Sequence, residues 1–252
     1  SGYSRGEVGM IRIYRSPRMF TWLCLASATV AAPTAGSAQA EWEVGGDLVS
    51  RSIWRGQPQG AGVSVQPYLA VTRGALGVEL WGSVSFDGRY AEQDTRVTWS
   101  REVGSGYLTL SLEDYFISER GYRARYLDFG GVEEGEPTGG HTVEVVVQLE
   151  GPETFPLEVL LAWNVYNDPD HSAYGQIALE REVGPVFVRG QVGMTLNESE
   201  WWYELDEGEV TELLLTVGRD LFDWSLGTVY ASGTAIRSPA LERSFFVLAV
   251  GM

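Results

Sequence analysis

From residue 41 onward, apolar and polar positions alternate with a period of two, and no long stretch repeats every three or four residues. In GALGVELWGSVSF, Leu76, Val78, Leu80, Val84 and Phe86 share one face, while Gly77, Glu79, Trp81, Ser83 and Ser85 share the other. HTVEVVVQLE sets Val143, Val145, Val147 and Leu149 against Glu144, Val146, Gln148 and Glu150. PLEVLLAWNV sets Leu157, Val159, Leu161, Trp163 and Val165 against Glu158, Leu160, Ala162 and Asn164. VFVRGQVGMTL does the same with its valines, Met194 and Leu196 against Arg189, Gln191 and Thr195. Side chains on a strand point alternately to the two faces, so this pattern predicts strands with one apolar face each. Twelve such segments are read, at 41–55, 62–73, 76–86, 94–103, 106–117, 140–150, 155–167, 173–183, 186–196, 207–218, 222–231 and 243–252. Several span about 10–12 residues, longer than the ~5–6 usual in soluble sheets and close to the ~9–11 of a tilted membrane-crossing strand.

The connections sharpen the picture. They are short after every second segment (Gly74-Ala75, Gly104-Ser105, GPET at 151–154, Gly184-Pro185, RDL at 219–221). After the others they are mostly longer and polar, as in DGRYAEQ, ERGYRARYLDFGGVEEGEPTGG, NESEWWYELDEG and GTAIRSPALE. Short turns at one end and long loops at the other are the plan of an outer-membrane barrel, and an even strand count returns both chain ends to the same side. The fold class expected is therefore all-β: a transmembrane antiparallel up-and-down barrel of about 12 strands. Aromatic residues near strand ends (Trp42, Trp54, Phe86, Trp99, Phe116, Trp163, Trp224, Tyr230) read as interface girdles. The competing arrangement is a soluble secreted sandwich or barrel whose apolar faces point inward.

Residues 1–40 read differently. MIRIYRSPR carries three arginines, MFTWLCLASATVAA is a short apolar run, and Ala38-Gln39-Ala40 is a small-x-small cleavage site. Together they predict a secretory signal peptide, leaving a barrel over 41–252. The apolar run is too short for a spanning helix, which needs ~20 residues. Cys24, the only cysteine, falls in this leader, so the exported part must hold together without disulfides.

The chain has 18 basic residues, all arginine, against 34 acidic. Residues 1–40 hold four of the former and one of the latter, leaving 14 and 33 in 41–252, a net charge of −19. Such a surface repels phosphate backbones and argues against nucleic-acid binding. If the apolar faces meet lipid, parity places Glu43, Asp47, Arg51, Arg55, Glu79, Arg96, Glu113, Glu144, Glu158, Glu180, Arg189 and Glu212 toward the interior, along with Glu102 and Asp223. A narrow passage lined mostly by carboxylates concentrates cations. The same charges could instead pair with one another and brace a plugged barrel. In this reading, Arg51 and Arg55 sit inward at the top of the first strand, and Trp54 faces lipid.

The stretch SRSIWRGQPQGAGVSVQPYLAV resembles the opening hairpin of the TorF-type putative porins, through Ser50, Trp54-Arg55-Gly56 and Pro67. LGVELWGSVSFD is similar to that family's Trp-Gly-Ser strand through Trp81-Gly82-Ser83, and LEDYFIS to its Tyr-rich central strand. Arg51 and Ser52 stand where the family tends to have Asp and Tyr, and the chain ends on Met252. The resemblance implies an outer-membrane channel and supplies no catalytic residues.

Little else points to chemistry. His141 begins a strand, and His171 lies beside Ser172, but neighbours on an extended chain point apart and cannot form a nucleophile–base pair. A rim pairing of His141 with Ser118 is the one hydrolase arrangement available; two exposed loop histidines is the plainer expectation. Two histidines about thirty residues apart do not make a zinc site, and neither VEEGEP nor DPD has calcium-loop spacing. No cofactor or metal is expected. The function expected is a channel in the bacterial outer membrane for passive diffusion of small polar solutes or ions, with a cation preference, its partners being membrane lipid and those solutes. The alternatives are a non-conducting barrel, structural or lipid-modifying, and a soluble ligand-binding β-protein.

Overall fold

The computed structural model describes residues 39–119, 126–224 and 227–252; the leader, the arginines at 120, 123 and 125, and the pair 225–226 lie outside the described residues. The strands are β1 (Glu41–Val49), β2 (Ser52–Trp54), β3 (Gln57–Gln59), β4 (Ser64–Arg73), β5 (Leu76–Ser85), β6 (Tyr90–Val103), β7 (Gly106–Glu119), β8 (Gly131–Glu133), β9 (Glu136–Thr138), β10 (His141–Glu150), β11 (Leu157–Tyr166), β12 (Ala173–Val183), β13 (Val186–Thr195), β14 (Val210–Trp224), β15 (Gly227–Ser238) and β16 (Arg243–Gly251). Twelve of them close a barrel in the order β1, β4, β5, β6, β7, β10, β11, β12, β13, β14, β15, β16. Each is antiparallel to its neighbours, and β1 meets β16 through Asp47↔Gly251, Leu48↔Val250 and Val49↔Ala249. Closure leaves no sheet edge unpaired. The hairpins β2–β3 and β8–β9 form two separate two-stranded sheets within two of its loops.

The twelve-stranded, all-β antiparallel barrel is as the alternation predicts. Along β5 the parity holds as well, whereas Glu102 and Asp223, read as inward, are exposed. Leu76, Val78, Leu80 and Val84 are exposed, while Gly77, Trp81, Ser83 and Ser85 are buried. Around the barrel the exposed set includes Val44, Leu69, Leu112, Ile177, Leu215 and Leu248. Among the described residues, thirty buried side chains are polar or charged against nineteen hydrophobic ones. An apolar exterior around a polar interior is the reverse of a water-soluble barrel.

Four boundaries differ from the sequence reading. The first strand stops at Val49, not at residue 55, because the chain leaves the barrel and turns at Ser50. β14 runs through Arg219-Asp220-Leu221 to Trp224, with a bulge between Asp220 and Phe222, so the short turn expected at 219–221 is strand. β15 continues through Gly233–Ser238, which shortens the loop expected at GTAIRSPALE to residues 239–242. β6 begins at Tyr90, which trims DGRYAEQ likewise. In the last three cases ladder pairing with a neighbour extends a strand past residues that look like turn formers. The strict short-long alternation of connections is correspondingly weaker.

Candidate functional site

The site is the barrel interior, and the segment after Val49 decides its shape. Ser52-Ile53-Trp54 and Gln57-Pro58-Gln59 pair as a hairpin around Arg55-Gly56. Both turn residues have positive φ, 46° at Arg55 and 79° at Gly56, the mark of the two-residue type I′ turn. Gly56 is obligatory for a second reason: a Cβ there would lie 2.1 Å from the Thr211 carbonyl oxygen on β14.

The hairpin crosses the interior. Ile53 packs with Val49 into a cluster of Phe187, Leu214, Tyr230, Ile236, Val247 and Ala249, on the β13–β16 wall. Trp54 belongs to another cluster with Trp81, Tyr115, Val146, Leu160, Ala162 and Tyr174, on the β5–β12 wall. A second loop, 196–209, joins it there. Tyr203 stacks on Trp54 with ring centroids 5.6 Å apart and planes 7° apart, and Trp202 meets Trp54 edge-on at 5.6 Å. Ser199 ties this loop to Ser172 at 2.6 Å, and Gln57 Nε2 donates to the Tyr203 carbonyl at 3.0 Å. Trp54 is therefore not a lipid-facing girdle residue, and neither is Tyr230, whose hydroxyl donates inward to Asp47. Trp54 is held by its ring contacts and Tyr230 by its hydroxyl, both inside the barrel.

Arg55 sits at the centre, fully buried. Its two terminal nitrogens donate to the two carboxylate oxygens of Glu144 at 2.7 and 2.8 Å, and it also bonds the Tyr203 hydroxyl. The guanidinium carbon lies 4.1 Å from the Tyr174 ring centre and 4.6 Å from that of Trp54. Burial works against the Arg55 charge, but Glu144, with Tyr203 and Tyr115, holds its pKa well above the ordinary arginine value. Tyr203 has its own pKa pushed up by burial.

Glu144 needs this partner because of register. It pairs directly across from Glu113, and like charges opposite one another repel. Arg96 takes Glu113 at 2.7 Å and approaches Glu79 at 3.8 Å, Arg55 takes Glu144, and the Tyr115 hydroxyl donates to both carboxylates at 3.2 and 2.8 Å. Lower down, Arg189 holds Glu158 at 3.0 Å and approaches Glu180 at 3.9 Å. Glu212 accepts from Tyr174 at 2.9 Å and from Gln191 at 2.6 Å. Glu43, at the open end, accepts from Tyr68 at 2.8 Å. Arg51 lies off the strand end, half-buried, 5.9 Å from the Phe245 ring centre. The structure thus gathers Glu79, Arg96, Glu113, Glu144 and Arg55 into one network and Glu158, Glu180 and Arg189 into a second. Glu212 links the two, through Tyr174 on the Arg55 side and through Gln191, which accepts from Arg189, on the other.

The histidines do not join this site. His141 is fully buried, not exposed in a loop: Nδ1 lies 2.9 Å from Asp114, Nε2 2.7 Å from the Tyr126 carbonyl, and Phe129 stacks on the ring at 4.2 Å. With Asn167, which bonds the Thr138 and His141 carbonyls, it pins the loop carrying β8 and β9. The Ser118 side chain lies outside the described residues. Sequence reasoning missed Tyr203 and Trp202 because NESEWWYELDEG reads as a polar loop; the signal was a Trp-Trp-Tyr run too apolar to stay in water.

No protein-family model matches the chain, so the resemblance to the TorF-type porins gains no support there, and no curated protein matches it. Among solved structures it is similar to the outer membrane protein OpdK of Pseudomonas aeruginosa, at 14% identity and a TM-score of 0.38, over 81% of this chain and 60% of that one. An improved crystal structure of the same protein, also called OccK1, gives 13% identity and 0.38, over 86% and 59%. The chain spans about 60% of the length of the solved chains it matches.

Proposed function

We propose that the protein is an outer-membrane barrel of the porin type, a passive conduit for small polar solutes that prefers cations. The observation that carries this is the closed twelve-stranded barrel with an apolar exterior and a charged interior. Strands of nine to fifteen residues are long enough to cross the apolar layer. The start of β1 at Glu41 fits release of a leader after Ala40. Cation preference follows from the interior balance: Arg55, Arg96 and Arg189 stand against Glu79, Glu113, Glu144, Glu158, Glu180 and Glu212. Such a field raises the local concentration of cations over anions.

A second reading has its own observation. The hairpin touches both walls, and Arg55 is locked to Glu144, so the outer half of the interior is crossed by protein. That favours a barrel conducting poorly at rest, or a purely structural one. Recordings in planar bilayers separate the two. The conduit reading expects small conductance steps with a cation-favouring reversal potential, and a barrel silent under all voltages ends it.

A further inference from the structure

We propose that the pocket filled by the Arg55 guanidinium is a recognition site for guanidinium-bearing solutes, with Arg55 as its resident occupant. This rests on reading the barrel as a conduit, and it names the class of solute that the interior discriminates.

Three walls of the pocket belong to barrel strands; Trp54 of the hairpin and Tyr203 of the 196–209 loop complete it. Glu144 on β10 presents both carboxylate oxygens side by side, at 2.7 and 2.8 Å from two guanidinium nitrogens. Tyr115 on β7 fixes that carboxylate by donating to Oε2 at 2.8 Å. Tyr174 on β12 offers a ring face 4.1 Å from the guanidinium carbon, and its hydroxyl is anchored on Glu212. A paired carboxylate edge beside an aromatic face is matched by a flat, forked cation. An ammonium ion can satisfy only a point contact there. The hold is on the terminal group alone: Arg55 Nε is buried and has no hydrogen-bond partner among the described residues. The pocket therefore reads the part that every alkylguanidinium shares.

An internal ion pair that merely ties down a hairpin would show the same distances, so the test removes the tether and keeps the walls. The barrel carrying Arg55→Ala is purified and refolded in detergent, and its thermal midpoint is followed with added methylguanidinium. The expected result is a rise of about 2–4 °C at a concentration roughly fivefold above the Kd, growing with the logarithm of concentration beyond it. Methylammonium and the neutral, isosteric methylurea should give none. The rise should vanish in Arg55→Ala/Glu144→Gln. No rise, an equal rise with methylammonium, or a rise that survives the double substitution overturns the proposal. Should the alanine variant not refold, Arg55→Gln, which also removes the resident guanidinium, serves in its place: a methylguanidinium-specific rise lost in Arg55→Gln/Glu144→Gln supports the site, and no rise refutes it. A barrel silent in bilayers that still responds to methylguanidinium keeps the site and ends the channel reading; a conducting barrel without that response does the reverse.

Discussion

Glu144→Gln removes one charge from the centre of the interior and leaves Arg55 without its counterion. Breaking a buried pair from one side costs about 3–5 kcal/mol, because the remaining charge stays desolvated. One feature of this site lowers the figure: the repulsion between Glu113 and Glu144 is relieved, a gain of order 0.2–1 kcal/mol for directly opposed charges. A net loss of about 2–4 kcal/mol follows. It is capped by the docking energy of the hairpin, since withdrawal of residues 50–63 would return Arg55 to water. Two assays read the two outlets: urea unfolding of the refolded barrel for the stability loss, and trypsin cleavage after Arg55, a fully buried site in the wild type, for withdrawal. A variant that unfolds within ~0.5 kcal/mol of wild type and resists trypsin at Arg55 would mean that Glu144 does not hold the hairpin.

Gly56→Ala combines a left-handed φ of 79° with a Cβ 2.1 Å from the Thr211 carbonyl oxygen. A loss of roughly 2–4 kcal/mol in urea unfolding, with new trypsin sensitivity in the hairpin, is expected. Leu215→Lys puts a charge on the exposed apolar face of β14 and should destabilise the lipid-embedded barrel by up to about 2–4 kcal/mol, measured by unfolding in vesicles; no loss would contradict a lipid-facing exterior. Burial raises the Tyr203 pKa, so the neutral phenol favours the folded state. Its contribution is complete below the unfolded value near 10 and is lost as pH climbs above it. Stability measured across pH 8–11 should therefore fall above about pH 10 in the wild type and fall less in Tyr203→Phe.

The alternation made the barrel legible, because each strand meets two unlike surroundings and the period of two records that contrast directly. Strand ends were harder. Val210–Trp224 reads as ending before Arg219 because Arg-Asp looks like a turn, but pairing with β15 carries the strand past it. The interior was legible only as a list of charges facing one way. Which acid meets which arginine depends on register: Glu144 lies opposite Glu113 only through the β7–β10 pairing, and Arg55 reaches Glu144 from a loop distant in sequence. The segment Trp54-Arg55-Gly56 carried its own clue. Arg-Gly between two three-residue flanks, Ser-Ile-Trp and Gln-Pro-Gln, is a tight hairpin tip, not the end of a strand. Taken as the strand top, it sent Trp54 to lipid; as a hairpin it sends Trp54 and Arg55 into the interior.

Paired recordings of wild-type and Glu144→Gln barrels in planar bilayers, under a potassium chloride gradient, bear on both halves of the proposed function. A cation-preferring conduit crossed by a hairpin held on Glu144 gives small steps with a cation-favouring reversal potential in the wild type, and larger or longer-lived steps in the variant. Silence from both, or a reversal potential favouring chloride, would contradict it.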